Sequence, residues 1–146
     1  MFKRASEYTR LIHNPGGAYT TDTIYRIECL DNEEGIEARH LAFSFINSLT
    51  FLSCELEGRS YGGGVLELVP SEVERVLLPV YKCTEDEFST LDRMLRERRA
   101  IDEILDYTDA RILSESMEER EMARVRSCWR SLQKRREVRG RSKRSG

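Results

Sequence analysis

The chain has 146 residues, 39% hydrophobic and 34% charged, with a formal net charge of -2. That size points to one domain, or to one compact piece with an appendage, and the apolar share suffices for a modest core. No apolar run approaches the roughly 20 residues of a membrane span, and the N-terminus has no signal-peptide core, which argues against a spanning or exported protein.

The small net charge hides an asymmetry. From Lys134 to Gly146 the chain carries seven Lys/Arg against Glu137 alone. A basic arm of this kind suits phosphate contact, and equally a solvated, disordered terminus. The cysteines, at 29, 54, 83 and 128, include no CxxC pair, and neither His13 nor His40 lies near one. A zinc site is not expected; reduced thiols in a cytoplasmic protein are.

In chain order, an early strand is expected around Glu7–His13, followed by a loop over 13–22 (HNPGGAYTTD), where Pro15, Gly16 and Gly17 give turn chemistry. Residues 23–30, with Thr23, Ile24, Tyr25 and Ile27, read as a strand. Over 37–57, Ala38, Leu41, Ala42, Phe45, Leu49, Leu52 and Leu56 recur at three-and-four spacing. That predicts one amphipathic helix, ended by Gly58. Val65, Leu66, Leu68 and Val69 predict a short strand, Ser71 and Glu74 a capping box opening a helical turn, and LLPV (77–80) a further extended segment.

Thr84 and Glu87 form another capping box ahead of an apolar stripe of Phe88, Leu91, Leu95, Ile101, Ile104 and Leu105. A break is expected within 106–116. Ser116 and Glu119 then restart a helix carrying Met122, Val125, Trp129 and Leu132 to about Arg136. Trp129 at that spacing is expected in the core. The resulting fold class is α+β: a small β-sheet packed on a central amphipathic helix, then a C-terminal antiparallel helical pair and a basic tail. The divisions follow as an α+β recognition-like domain over 1–82, a helical segment over 83–138 and a disordered basic tail over 139–146.

Residues 58–64 (GRSYGGG) raise the functional question. They follow a helix and precede a strand with no Lys next, so neither a P-loop nor a nucleotide fingerprint fits. No nucleophile–base arrangement is recognisable, and His13 reads as a polar loop residue. Binding remains. Gly62, Gly63 and Gly64 permit close backbone approach to phosphate, Arg59 offers a bidentate fork, and Ser60 and Tyr61 offer hydroxyls. Asn14, Thr21, Thr23 and Arg26 carry the same polar repertoire, and Lys134, Arg135 and Arg136 add phosphate affinity. Alternatively the glycines serve a tight connection that needs positive φ.

The stretch FSFINSLTFLSCELEGRSYGGGVLELVPSEVERVLLPV (43–80) resembles the C-terminal region of adenine-specific DNA methyltransferases of restriction–modification systems. There a helix with Asn-Ser precedes a Gly-Arg-x-Tyr-Gly-Gly-Gly loop, a strand, a Pro-Ser-Glu turn and a Leu-Pro. TTDTIYRI and the closing Trp129, Leu132, Arg135 and Arg136 extend the likeness to about residues 13–139. The resemblance implies double-stranded DNA as partner, together with a catalytic domain or subunit that holds S-adenosylmethionine and the flipped adenine. The family's (Asn/Asp)-Pro-Pro-(Tyr/Phe) motif is absent and 146 residues leave no room for the cofactor domain. The expectation is therefore a target-recognition piece (a cut domain, a truncated gene product or a split subunit) that does not methylate alone and holds no cofactor. The competing expectation is an assembly module of a multisubunit modification enzyme.

Overall fold

The computed structural model describes residues 1–29, 35–61 and 63–142. Strand β1 (Arg4–Ala5) is followed by helices α1 (Ala38–Ser44) and α2 (Ser48–Glu57), then by strands β2 (Arg59–Tyr61) and β3 (Val65–Glu67). The short α3 (Pro70–Val73), α4 (Glu85–Arg96), α5 (Ile101–Ile112) and α6 (Glu119–Ser142) complete the chain. The three strands form one antiparallel sheet in the order β1-β3-β2, with Leu66 opposite both Ala5 and Ser60. The class is α+β, as expected.

The helix expected over 37–57 is two helices. Asn47 takes an extended backbone between them (φ -153, ψ 160), its Oδ1 accepting from the Thr50 N–H. Its Nδ2 donates to the Ser44 carbonyl at 2.6 Å and to Thr50 Oγ1 at 2.8 Å. One side chain thus closes the end of α1 and caps the start of α2, a role asparagine fills through its short polar amide. Asp109 of α5 supports the same corner by accepting from the Ser48 N–H at 2.8 Å, and Arg126 of α6 holds its other oxygen at 2.9 Å. Periodicity passed over this break because residues on both sides, Phe43, Ile46 and Phe51, enter one core. Leu56 faces solvent at 67% exposure, against expectation.

Other boundaries also moved. The strand expected at 23–30 shrinks to a ladder in which Lys3 donates to the Thr23 carbonyl and Tyr25 to that of Met1, around a Phe2–Ile24 bridge. Leu30 lies outside the described residues. Residues 7–13 form no strand; pairing falls at Arg4–Ala5 instead. The first turn of α3 is capped by Glu72, whose carboxylate accepts from the Val69 N–H, rather than by a Ser71–Glu74 box. Pro70 sits in that first turn, where its missing N–H costs nothing. Residues 77–80 belong to no strand; they are fastened to α2 through Leu77, which accepts from Thr50 Oγ1 and donates to Ser53 Oγ.

The Thr84–Glu87 box opens α4 as expected. The following apolar stripe is broken at Glu97–Ala100, where Arg98 takes φ 54, so three helices stand in place of a pair. At the start of α6, Glu121 reaches back to the Glu118 N–H, while the Ser116 hydroxyl donates to Leu113. The helix runs to Ser142, past Arg136 and into the segment expected to be disordered; residues 143–146 lie outside the described part.

Trp129 is 1% exposed and tilts against Phe51 at 5.1 Å between ring centroids, and Tyr8 meets Phe51 at 4.9 Å. The core around it draws Phe43 and Ile46 from α1 and the turn after it, Leu91 from α4, and Ile104 and Leu105 from α5. It therefore spans both sides of the division expected at 82/83. A second cluster, with Phe45, Cys54, Leu66 and Leu68, sits under the sheet. Asn47→Ala removes a helix cap and strands buried partners, so unfolding free energy should fall by about 2 kcal/mol, measured as a lower thermal midpoint with helical content retained.

Candidate nucleic-acid interface

The glycine run turns the chain from β2 into β3, with Tyr61 paired to Val65 across it. A three-residue hairpin connection needs left-handed backbone, and Gly63 and Gly64 supply φ 80 and φ 78. Gly62 lies outside the described residues. Gly64 is also the point where α6 crosses: a Cβ there would stand 3.0 Å from Glu137 Cα and 3.2 Å from the Arg136 carbonyl. The close backbone approach that glycine permits is thus made with the protein's own helix. Both readings of the run predicted a bare backbone; the hairpin needs it on conformational and steric grounds together.

Arg136 departs furthest from its expected role. Its side chain is 4% exposed and lies against Glu55, itself 4% exposed, at 2.8 Å. Nε spans both Glu55 oxygens at 3.2 and 3.1 Å, Nη2 adds the Glu7 carbonyl at 3.0 Å, and Nη1 donates to the carbonyls of Ser6 (2.9 Å) and Gly64. All five guanidinium N–H groups have acceptors, which leaves none for phosphate. The signal was present in the chain: residues 122, 125, 129, 132 and 136 share the three-and-four spacing that runs through buried Trp129.

Arg59 is likewise committed. Its Nε donates to Glu72 at 2.5 Å, and Glu67, opposite it in the sheet, pairs with Arg4 at 2.8 Å. The side chain remains 65% exposed, with its Nε on Glu72 and the Glu67 carboxylate on the paired strand. Glu72, which sequence reasoning missed, fastens β2 to the turn of α3. The Val69 N–H, and after it the Arg59 guanidinium, hold its carboxyl below the ordinary 4.5.

The first loop is exposed throughout 14–23. Asn14 closes it by exchanging hydrogen bonds with the Ala18 N–H and carbonyl at 3.0 and 2.9 Å. The hydroxyls of Thr21 and Thr23 meet at 2.7 Å, and Arg26 pairs with Glu28 at 3.0 Å. Residues 23–25 ladder onto residues 1–3, which lead into β1, whereas β2 forms the other edge of the sheet. No hydrogen bond or ion pair among the described residues joins the loop to the hairpin. The hairpin is brought instead to the turn of α6 that carries Lys134 and Arg135, both exposed and without an ion pair among the described residues.

A cleft of about 720 Å³ opens between the N-terminal segment, the α4–α5 turn and α6, with Arg10, Arg98, Arg99 and Arg130 in its wall beside Glu7 and Glu137. Arg99 is tied to Glu97 and Glu103, and Arg130 to Asp102. The remaining wall charges balance, so the cleft exerts no net pull on an anion.

Burial pushes the Cys54 thiol up to about 12 and the Cys83 thiol to about 11, which suits packing rather than reaction. Among the described residues, no cluster of three or more His, Cys, Asp or Glu could hold a metal, and no helix is long and apolar enough to cross a membrane. A glycine turn between antiparallel strands does not fit a nucleotide-type cofactor, which needs glycines leading from a strand into a helix N-terminus.

The family model of the Type II methyltransferase M.Eco57I C-terminal domain matches residues 1–113. No curated protein and no solved structure matches the chain at a significant level. The matched span contains the first loop, α1–α2, the hairpin and the first two long C-terminal helices; all of α6 lies beyond it.

Arg136→Ala leaves Glu55 buried without its cation, an arrangement that costs about 3–5 kcal/mol. Urea unfolding should show that loss, while Lys134→Ala and Arg135→Ala leave the midpoint in place. For Glu72, the unfolded carboxyl takes up its proton before the folded one as pH falls. Its contribution is therefore complete above 4.5 and is lost as pH drops through the lower folded value. Thermal midpoints measured against pH should fall less steeply below 4.5 in Glu72→Gln than in the unaltered chain, from a lower starting point at pH 7.

Proposed function

Because the chain belongs to the family of the Type II methyltransferase M.Eco57I C-terminal domain, we propose that it is a DNA-binding target-recognition domain of an adenine-specific DNA methyltransferase. The observation that carries this reading is the seating of the β2–β3 hairpin on the turn of α6 with Lys134 and Arg135, two cations with no protein partner among the described residues. Phosphate contacts from that turn would fix the register of the domain on the duplex, and base-edge contacts would come from hydroxyl and amide groups.

In this reading the polar contacts come from Asn14, Thr21 and Thr23 on the first loop and from Ser60, Tyr61 and the glycine backbone on the hairpin. Arg59 orients the hairpin through Glu72 rather than reading a base, and Arg136 locks it to α6. Methyl transfer, S-adenosylmethionine and the flipped adenine belong to a catalytic domain. The exposed Leu56, Leu77 and Val80, at 67%, 58% and 47%, lie where residues 77–80 run beside α2. They favour, as the second reading, a role in assembling the enzyme.

Fluorescence anisotropy with a random-sequence duplex tests the proposal. Low-salt binding of roughly micromolar strength is expected, and Ser60→Glu and Thr21→Glu should each weaken it about tenfold. Binding indifferent to both changes would move the contact away from hairpin and loop. No binding at low salt would refute the DNA reading and favour assembly.

A further inference from the structure

The arginines of α6 are sorted by face. Arg126 and Arg130, on the flank towards α5, reach Asp106, Asp109 and Asp102, and Arg136 is buried on Glu55. Opposite Trp129, a different set points to solvent: Arg120, Arg124, Ser127, Ser131, Lys134 and Arg135 are all exposed. At about 100° per residue these six fall within roughly 100° of arc, one continuous stripe. The acidic residues of the helix, Glu119, Glu121 and Glu137, fall off the stripe. None of its four cations has an ion pair or side-chain hydrogen bond among the described residues.

Arg120 does not serve the helix itself. Arg120 stands in the first turn, where a positive charge opposes the macrodipole, and Arg120 and Arg124 are like charges four residues apart. The stripe has cations at both ends and small side chains between, with the Ser131 hydroxyl folded back onto the Ser127 carbonyl at 2.9 Å. Arg124 and Lys134 are separated by about 15 Å along the axis, and Arg120 and Arg135 by about 22 Å. Both separations exceed a major groove about 12 Å wide, and long side chains turning inward from each end close the difference. No aromatic residue lies on the stripe, so the stacking platform that single strands require is missing.

We propose that the exposed stripe of α6 seats in the major groove of duplex DNA, with Arg120 and Arg124 on the phosphates of one wall and Lys134 and Arg135 on those of the other. The inference rests on the reading of the domain as DNA-binding and adds a helix outside the span matched by the family. Neutralising each pair, as Arg120→Gln/Arg124→Gln and Lys134→Gln/Arg135→Gln, should lower the slope of log K against log salt by about 1.8. A bulky Ser131→Trp should weaken duplex binding with the slope unchanged. Anisotropy of the full chain on a 20-base-pair duplex (a length of about two helical turns) reads all three, with the thermal midpoint confirming that each variant is folded. If the unaltered chain binds duplex while both paired variants keep its slope, the stripe is refuted and the domain-level reading stands. If the unaltered chain fails to bind duplex at low salt, both fall. Equal binding of poly-glutamate through the same four residues would identify a generic anion face and overturn the groove assignment.

Discussion

A buried guanidinium is tolerated only where every donor finds an acceptor, and Arg136 meets that condition by drawing four parts of the chain to one point. Glu55 comes from α2, the Gly64 carbonyl from the hairpin, the Ser6 and Glu7 carbonyls from the segment after β1, and the cation itself from α6. Removing any partner would leave charge or backbone unpaired in a low-dielectric setting. Glycine at 64 is the steric condition for this meeting, because a side chain there would strike Glu137. The hairpin is therefore tied directly to the long helix, at the turn of α6 that carries Arg136 and Glu137.

A second corner is built on the same logic. Asn47 interrupts the run of apolar residues and caps α2, Asp109 takes the next N–H, and Arg126 neutralises Asp109 from α6. Helix α6 is thus fastened twice to α2 and its surroundings, near 126 and near 136, with Trp129 filling the space between the two ties. Its inward arginines are used for anchoring. Arg120, Arg124 and Arg135 have no counter-charge among the described residues, and that division gives the surface its basic stripe in a chain whose net charge is negative.

Much of the local structure was legible. The Thr84–Glu87 box, the inward Trp129, the end of a helix at Gly58 and the short strand at 65–67 all follow from side-chain chemistry acting within a few residues. Misreadings cluster where a local signal was ambiguous. Asn47 is as good a cap as a surface helix residue, and the apolar rhythm continues through it because both helices face one core. Val69 lacks a capping side chain, so the start of α3 depended on Glu72 reaching back to its N–H. The β-rich pattern at 23–30 formed only a ladder at its first residues, since the sheet had its other partners at 59–67.

The sequence by itself determined the α+β class, most helix locations and the family, because motif order and hydrophobic spacing are local properties carried by the chain. Which cations are free was decided only by tertiary structure. Arg59, Arg135 and Arg136 are chemically equivalent in the sequence, yet the first is held by Glu72, the second is exposed and the third is buried on Glu55. An ion pair needs two groups within a few ångströms, and Glu55 and Arg136 lie 81 residues apart. No local rule reports that distance; the fold sets it, through the packing of α6 across α2 and the turn at Gly63 and Gly64.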